Sequence, residues 1–169
     1  MTQKHTSKGT SINSSKAPRI VSLLRKHKMI DEYSVVFDYG AGRYPEITRE
    51  ALNVGMYLPF DPFNLPEEVN STSIDEVIDH GCGLVMCSNV LNVIDDDETI
   101  TDIILRCLAK TSGPCCFTVY EGDGTGKGRE TGPDQYQRNE PLEAYLRFFR
   151  SIGCKAQLVG GKHGMIVAC

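Results

Sequence analysis

The chain has 169 residues, of which 40% are hydrophobic, and its formal net charge at pH 7 is −4. This length and composition predict one globular domain with a sizeable core. No stretch approaches the roughly 18 to 20 consecutive apolar residues of a membrane span, so the sequence predicts no membrane segment.

The N-terminal segment is basic, whereas the rest of the chain is acidic. Residues 1–30 carry seven lysine and arginine residues and no acidic residue, which leaves a charge of −11 on the other 139 residues. Residues 1–16 are rich in Ser, Thr, Lys and Gly, so we expect a disordered basic tail, and they lack the apolar core of a signal peptide. Such an arm contacts nucleic acid or another polyanion, or it is a solubilising tail followed by an ordinary helix surface. The acidic body argues against phosphate contacts over the whole surface.

From residue 17 onward, apolar strand-like runs alternate with helical patterns. Helices are predicted from about residue 17 and at 45–53, 95–110 and 141–152. Buried strands are predicted at 34–38, 56–60, 83–88 and 114–120, and a closing hairpin at 155–159 and 165–168. Residues 61–73 are predicted to form a loop, 74–78 are ambiguous between helix and strand, and 121–139 are predicted to form a long polar loop. This order predicts a single α/β domain over residues 17–169, with a mostly parallel sheet, a C-terminal antiparallel hairpin and helices on both faces.

The cysteine and histidine residues give no indication of a metal site. The seven cysteines form no CxxC pair, and most of them lie in apolar stretches. We therefore expect reduced, mostly buried thiols in an intracellular protein, and a cytoplasmic location. Cys115 follows a proline at the start of an apolar strand and is expected to be a core thiol. His80 and His163 have no metal-ligand companions at useful spacing.

The sequence SVVFDYGAGR at residues 34–43 combines a buried strand with an acidic residue and a glycine turn. Asp38 ends the strand, and Gly40 and Gly42 allow the backbone to turn tightly and approach a ligand. Ligands bind at the carboxyl ends of the strands in an open α/β sheet. A carboxylate at that place favours hydroxyl or ammonium groups over phosphate.

A second acidic residue, Asp61, ends the next predicted strand, 23 residues after Asp38. An acid about 20 residues after a glycine-rich first turn is the position that accepts hydrogen bonds from ribose hydroxyls in such sheets. Alternatively, Asp61 does no more than open a turn before Pro62.

These motifs resemble those of class I S-adenosylmethionine-dependent methyltransferases. Residues 38–42 match the first motif of that family, Asp61 its ribose-binding acid, and residues 87–91 the end of its fourth strand. The resemblance covers about residues 30–169 and implies a Rossmann-like fold and S-adenosylmethionine as cofactor. The segments SNVLNVI and VYEGDGTGKGRETGPDQYQRN are similar to small phage and bacterial methyltransferase-like proteins, related to those that accompany DNA-modification gene clusters. For a phage-encoded protein, the expected location is the host cytoplasm.

The resemblance implies roles for particular residues. Asp38 would lie near the amino-acid end of the cofactor, Gly40 and Gly42 would allow its close approach, and Asp61 would accept from both ribose hydroxyls. Ser88 and Asn89 would line the floor beneath the sulfonium.

Two cofactor contacts are less well defined by the resemblance. Arg43 stands where the family has a third glycine, so it either narrows the cofactor site or places a guanidinium beside the methionine carboxylate. The acid that reads the adenine amino group is Asp79 or Asp75, and each is equally compatible with a solvated surface position.

The polar loop at 121–139 is the predicted acceptor side of the site, because long loops at this edge of a sheet are usually functional or disordered. Glu121, Asp123 and Tyr136 are the candidate catalytic residues, and nearby amides add donors and acceptors: Gln135, Gln137 and Asn139. A plain mobile loop is the alternative.

The leading hypothesis is an S-adenosylmethionine-dependent methyltransferase, with a nucleic acid or a nucleotide as the preferred acceptor because of the basic arm. The proline-rich motif of amino-directed DNA methyltransferases is absent, since Ser88-Asn89-Val90-Leu91 stands in its place. No separate target-recognition domain fits in 169 residues, so sequence specificity would require a partner or an oligomer. A non-catalytic cofactor-binding protein is the alternative. A nicotinamide-dependent oxidoreductase is disfavoured by the missing GxGxxG run.

Overall fold

A computed structural model describes residues 16–169, so the predicted tail lies outside the described residues except for Lys16. The strands are β1 Val35–Tyr39, β2 Met56–Phe60, β3 Leu84–Ser88, β4 Cys115–Thr118, β5 Arg129–Gly132, β6 Gln135–Gln137, β7 Ala156–Val159 and β8 Met165–Ala168. The helices are α1 Arg19–Lys26, α2 Pro45–Leu52, α3 Glu67–His80, α4 Asp97–Leu108 and α5 Leu142–Ser151, with short 3-10 helices at Leu91–Val93 and Gly161–His163.

The main sheet has six strands in the order β2-β1-β3-β4-β8-β7. β2, β1, β3 and β4 are parallel, whereas β8 runs antiparallel to β4 and pairs with β7 as an antiparallel hairpin. The predicted fold class, a mostly parallel α/β sheet closed by a C-terminal hairpin, is therefore confirmed.

Helices cover both faces of the sheet because neighbouring side chains in a buried strand point to opposite faces. In β1, Val36 packs into a cluster with α1 residues such as Ile20 and Leu24. The next residue, Phe37, packs into the cluster that contains Ile104 of α4 and Phe149 of α5. The sheet is therefore held between two apolar layers. These layers fix the position of the edge at which the parallel strands end.

The prediction of a loop at 61–73 is wrong over its second half, because α3 begins at Glu67 and continues to His80. Within α3, the Asn70 side chain accepts from the Asp61 N–H at 2.8 Å. Ser73 similarly donates to the Pro59 carbonyl of β2 at 2.7 Å. These tertiary bonds outweigh the weak helix propensity of Asn and Ser.

The 121–139 segment is also more ordered than predicted, because it contains the β5–β6 hairpin. Its strands are short and their residues mostly polar and exposed, so they lack the apolar alternation that reveals a strand in a sequence. The Arg138 N–H donates to the Asn92 carbonyl at 2.9 Å, which ties the end of this hairpin to the 3-10 helix after β3.

Within residues 16–169, no helix is both long and apolar enough to cross a membrane, and no group of three or more His, Cys, Asp and Glu residues could hold a metal ion. Cys115 is fully buried in β4, as expected of a core thiol. Its neighbour Cys116 is also buried, and this burial raises the pKa of its thiol to about 12.

Candidate functional site

A cavity of about 1120 Å³ opens at the carboxyl ends of the parallel strands. The turns after β1, β2, β3 and β4 line it, together with the β5–β6 hairpin and the N-terminal end of α1. It is lined by most of the residues that the sequence singled out: Asp38, Gly40, Gly42, Asp61, Ser88, Asn89, Asp123 and Tyr136.

Asp38 is a buried carboxylate on the floor of this cavity, with 2% of its surface exposed. Its Oδ2 accepts a hydrogen bond of 2.6 Å from the Tyr57 hydroxyl. The pKa of Asp38 is raised to about 7, mainly by burial and also by the nearby Asp61, although the Tyr57 hydrogen bond lowers it. A cation in the cavity would favour the ionised form of this group.

The turn after β1 follows the predicted glycine geometry. Gly40 and Gly42 have φ values of +83° and +75°, which residues with a Cβ rarely adopt. The N–H groups of Gly40 and Ala41 both donate to the Phe60 carbonyl, at 2.7 and 3.1 Å. A Cβ on Gly40 would collide with the side chain of Val90. The turn is therefore held against the ends of both neighbouring strands.

Asp61 is 6% exposed and accepts hydrogen bonds at both carboxylate oxygens. Oδ1 accepts from the N–H groups of Phe63 at 2.9 Å and Asn64 at 3.0 Å. Oδ2 accepts from the Gly42 N–H at 3.0 Å and from the Asn64 side-chain amide at 3.1 Å. Asp61 thus shapes its own turn, as the simpler interpretation supposed, and it also joins the β1 and β2 turns at the cavity.

Arg43 lies outside the cavity lining and is exposed to solvent. Its Nε donates to the Asn64 Oδ1 at 3.3 Å. The backbone of Arg43 is outside the left-handed region, so this position has no conformational need for a third glycine.

Ser88 and Asn89 line the cavity at the end of β3. The Ser88 Oγ lies 3.0 Å from the Thr118 Oγ1 of β4, and the Asn89 N–H donates to the Thr118 carbonyl at 2.8 Å. Asn89 has a φ of +57°, which ends the strand abruptly and exposes its side chain.

The structure places Asp75 and Asp79 on the exposed side of α3, and neither lines the cavity. The segment predicted as either helix or strand is part of α3, and this helix turns both side chains towards solvent. Instead, the turn after β2 lines the cavity through Pro62, Phe63 and Asn64.

The three candidate catalytic residues occupy different positions. Tyr136 is half-buried in the cavity wall, and Asp123 is an exposed lining residue. The Asp123 carboxylate accepts from the Thr125 hydroxyl at 2.7 Å, and this bond lowers its pKa. Glu121 does not line the cavity: it accepts from the Leu142 N–H at 2.6 Å at the start of α5 and lies 3.8 Å from the His163 Nδ1.

Sequence reasoning missed a buried amide network beneath the hairpin. Asn92 is 3% exposed and its Nδ2 donates to the Gln137 Oε1 at 3.2 Å. The Gln137 Nε2 donates to the Tyr120 carbonyl at 2.9 Å, and the Tyr120 N–H donates to the Asn92 Oδ1 at 3.3 Å. The available signal was the asparagine inside the apolar run VLNVI, because a buried amide needs partners.

Charged and aromatic side chains complete the wall. Tyr120 lines the cavity while 62% of its surface is exposed. Lys16 and Arg129 also line it, whereas the lining residues Asp102 and Arg106 form an ion pair at 2.6 Å. The cavity wall therefore combines the aromatic faces of Tyr120 and Tyr136 with the cationic groups of Lys16 and Arg129.

No family model matches the chain, and no curated protein matches it. Several solved structures do resemble it. DesVI from Streptomyces venezuelae has a TM-score of 0.56 at 12% identity, over 88% of each chain. The 1,6-didemethyltoxoflavin-N1-methyltransferase of Burkholderia thailandensis, solved with S-adenosylhomocysteine, has a TM-score of 0.57 at 18% identity, over 88% of this chain and 74% of that one.

A third structure, S-adenosylmethionine-bound CalS10, an amino pentose methyltransferase from Micromonospora echinaspora, gives a TM-score of 0.56 at 12% identity, over 88% of this chain and 87% of that one. At these identities the likeness concerns the fold. The chain has the Rossmann-like fold of class I methyltransferases, which confirms the resemblance seen in the sequence at the level of the fold.

Proposed function

We propose that this chain, with its class I methyltransferase fold, is an S-adenosylmethionine-dependent methyltransferase. The observation that carries the proposal is the joining of three predicted ligand groups in one cavity. Asp38, the glycine turn at 40–42 and Asp61 lie at the ends of adjacent parallel strands, and the Gly42 N–H is bonded to Asp61 at 3.0 Å. The neighbouring structures that contain S-adenosylmethionine or S-adenosylhomocysteine support this choice of cofactor.

The residues present fit such a cofactor. Asp38 offers a buried negative charge to its cationic amino-acid end, and Gly40 packs so closely against the Val90 side chain that the turn has no room for a Cβ. Asp61 offers carboxylate oxygens to a ribose diol, in place of the Asn64 side-chain amide that now bonds to Oδ2. When bound, S-adenosylmethionine supplies a methyl group already activated by a sulfonium, so the protein must orient the acceptor and exclude water.

The cavity also has room for an acceptor. Its volume of about 1120 Å³ exceeds the range of roughly 300 to 1,000 Å³ typical of a site for one small ligand. The hairpin side presents Tyr120 and Tyr136, whose rings can stack on a planar acceptor. We assign the acceptor to this side and the cofactor to the β1–β2 side.

The acidic side chains favour an acceptor that needs little help in losing a proton. Asp102 is paired with Arg106, and Glu121 is bonded at the start of α5. The pKa of Asp123 is lowered by Thr125, which makes this carboxylate a weak base. A nitrogen with its own free lone pair at neutral pH therefore suits the site better than a hydroxyl group.

A nucleic acid or a nucleotide is the acceptor class that we favour. Lys16 and Arg129 at the cavity provide cationic partners for phosphate, and the N-terminal 30 residues contain no acid. Stacking of a base on tyrosine and contact of phosphate with Lys and Arg are the usual means of holding such a ligand.

Radiolabelled methyl transfer tests the proposal. The wild-type protein is incubated with S-[methyl-³H]adenosylmethionine and, separately, with single-stranded DNA, RNA, free nucleotides and a protein mixture. Label in a nucleic acid or nucleotide supports the proposal. Label confined to protein contradicts the acceptor class, and cofactor binding without transfer to any sample favours a non-catalytic binding protein.

A further inference from the structure

We infer that Tyr57 is a positioning residue that orients the Asp38 carboxylate and keeps it ionised for a cationic ligand in the cavity. The inference rests on the proposed function and adds to it a group that touches neither cofactor nor acceptor. Tyr57 is 8% exposed and does not line the cavity, so it can act on a ligand only through Asp38.

The sheet register brings the two side chains together. Tyr57 of β2 lies opposite Val36 of β1, and Asp38 is two residues further along β1. Because side chains two residues apart in a strand share a face, Tyr57 and Asp38 are diagonal neighbours on the same side of the sheet. The phenol hydroxyl reaches the Asp38 Oδ2 at 2.6 Å, which fixes the plane of the carboxylate.

Contacts with two residues of α2 hold the Tyr57 side chain in place. The Thr48 hydroxyl forms a hydrogen bond with the Tyr57 side chain that lowers the Tyr57 pKa, as expected when Thr48 donates to the phenol oxygen. The Arg49 guanidinium lies 5.8 Å from the centre of the Tyr57 ring. The phenol donates its proton to Asp38. A chain of contacts therefore runs from α2 through β2 to the cavity floor.

The electrostatic surroundings explain why Asp38 needs such a donor. Burial and the Asp61 carboxylate both raise the Asp38 pKa, and Tyr57 is the group that lowers it. Arg49 lies over the Tyr57 ring, and Cys107 of α4, whose pKa burial raises, is a neutral thiol near Asp38. Burial and the neighbouring Asp38 also raise the Tyr57 pKa, so the phenol keeps its proton and remains a donor.

Two measurements on Tyr57→Phe test this role. Carboxyl ¹³C NMR follows Asp38 in the ligand-free protein from pH 5 to 9, and calorimetry follows binding of S-adenosylhomocysteine, which carries the same ammonium group, from pH 6 to 8.5. The matched control is Tyr33→Phe, because Tyr33 is 80% exposed and lies outside the cavity lining. Thr48→Val tests the same chain of contacts one step further from Asp38; because Thr48 itself lines the cavity, the Asp38 titration in the ligand-free protein is the measurement used for this variant.

We expect the titration midpoint of the Asp38 carboxyl group to rise by about one pH unit in Tyr57→Phe. Affinity at pH 7 should fall about fivefold and recover towards pH 8.5, with a smaller shift of the midpoint in Thr48→Val and no change in Tyr33→Phe. An unchanged Asp38 midpoint in a folded Tyr57→Phe protein overturns the inference even if the cofactor binds. If the Asp38 titration midpoint shifts in Tyr57→Phe but the wild-type protein binds no cofactor, the proposed function is contradicted. The role of Tyr57 and Asp38 in ligand binding is then contradicted as well.

Discussion

The main-chain N–H of Gly42 donates to the Oδ2 of Asp61 at 3.0 Å, and this bond joins the turns that follow β1 and β2. The two residues are 19 positions apart in the chain and follow adjacent parallel strands. Each turn thus holds the other in place at the cavity. A change in either turn is therefore expected to affect both stability and ligand binding.

Gly40→Ala should destabilise the protein and abolish cofactor binding. The φ of Gly40 is +83° and an added Cβ collides with Val90, so we expect a loss of at least about 2 kcal/mol in the free energy of unfolding. Urea unfolding and calorimetry measure the two effects.

Gly124→Ala is the matched control for this prediction, because Gly124 has a similar φ of +69° but no atom within 4 Å of an added Cβ. The difference between the variants isolates the collision with Val90, and Val90→Ala should partly rescue Gly40→Ala. Equal destabilisation of both glycine variants would contradict this explanation.

Arg43→Ala should leave the affinity for S-adenosylhomocysteine within about twofold of the wild type. The side chain is exposed, lies outside the cavity lining and donates to Asn64. Calorimetry provides the measurement, with the exposed Arg147→Ala as control. A tenfold loss specific to Arg43→Ala would show instead that the guanidinium contacts the cofactor carboxylate.

Asp38→Asn should stabilise the free protein at high pH while weakening cofactor binding. The folded-state pKa of Asp38 is raised from 3.8 to about 7, so its contribution to stability is fully present below pH 4 and is lost as the pH rises through 7. Asparagine can still accept from Tyr57 but never ionises. The gain at pH 8.5 relative to pH 5 is expected to reach up to about 3 kcal/mol.

Urea unfolding of the wild type and Asp38→Asn at pH 5 and pH 8.5 checks this dependence. A stability difference that is the same at both pH values would show that Asp38 titrates normally in the folded protein.

Gln137→Ala should separate methyl transfer from cofactor binding. Gln137 links Asn92 to the Tyr120 carbonyl and so holds the hairpin that carries Tyr136. We expect transfer to fall at least tenfold and cofactor affinity to change less than about twofold, because buried hydrogen bonds are lost on the acceptor side alone. The exposed Gln157→Ala is the control. An equal loss of binding and transfer would contradict the division of the cavity into two sides.

The sequence alone was sufficient to predict the parallel strands, because β1, β2 and β3 are short apolar runs between polar turns. It also located Asp38 and Asp61, since strand ends can be read from such runs. It failed for α3, where tertiary hydrogen bonds of Asn70 and Ser73 override local propensity, and for the polar β5–β6 hairpin. The Tyr57–Asp38 pair depends on strand register, which a single sequence does not specify. The closer similarity to phage and bacterial proteins, and any oligomer, remain predictions.

The most direct test of the central claim is calorimetry of S-adenosylmethionine and S-adenosylhomocysteine with the wild-type protein and Asp61→Asn. We expect the wild type to bind both ligands at a single site. Asp61→Asn should bind at least about tenfold more weakly, because an amide replaces the carboxylate that we propose accepts from the ribose diol. The exposed Asp75→Asn is the matched control and should bind like the wild type. Absence of binding by the wild type, or binding that is unaffected by Asp61→Asn, would contradict the assignment of this cavity to the cofactor.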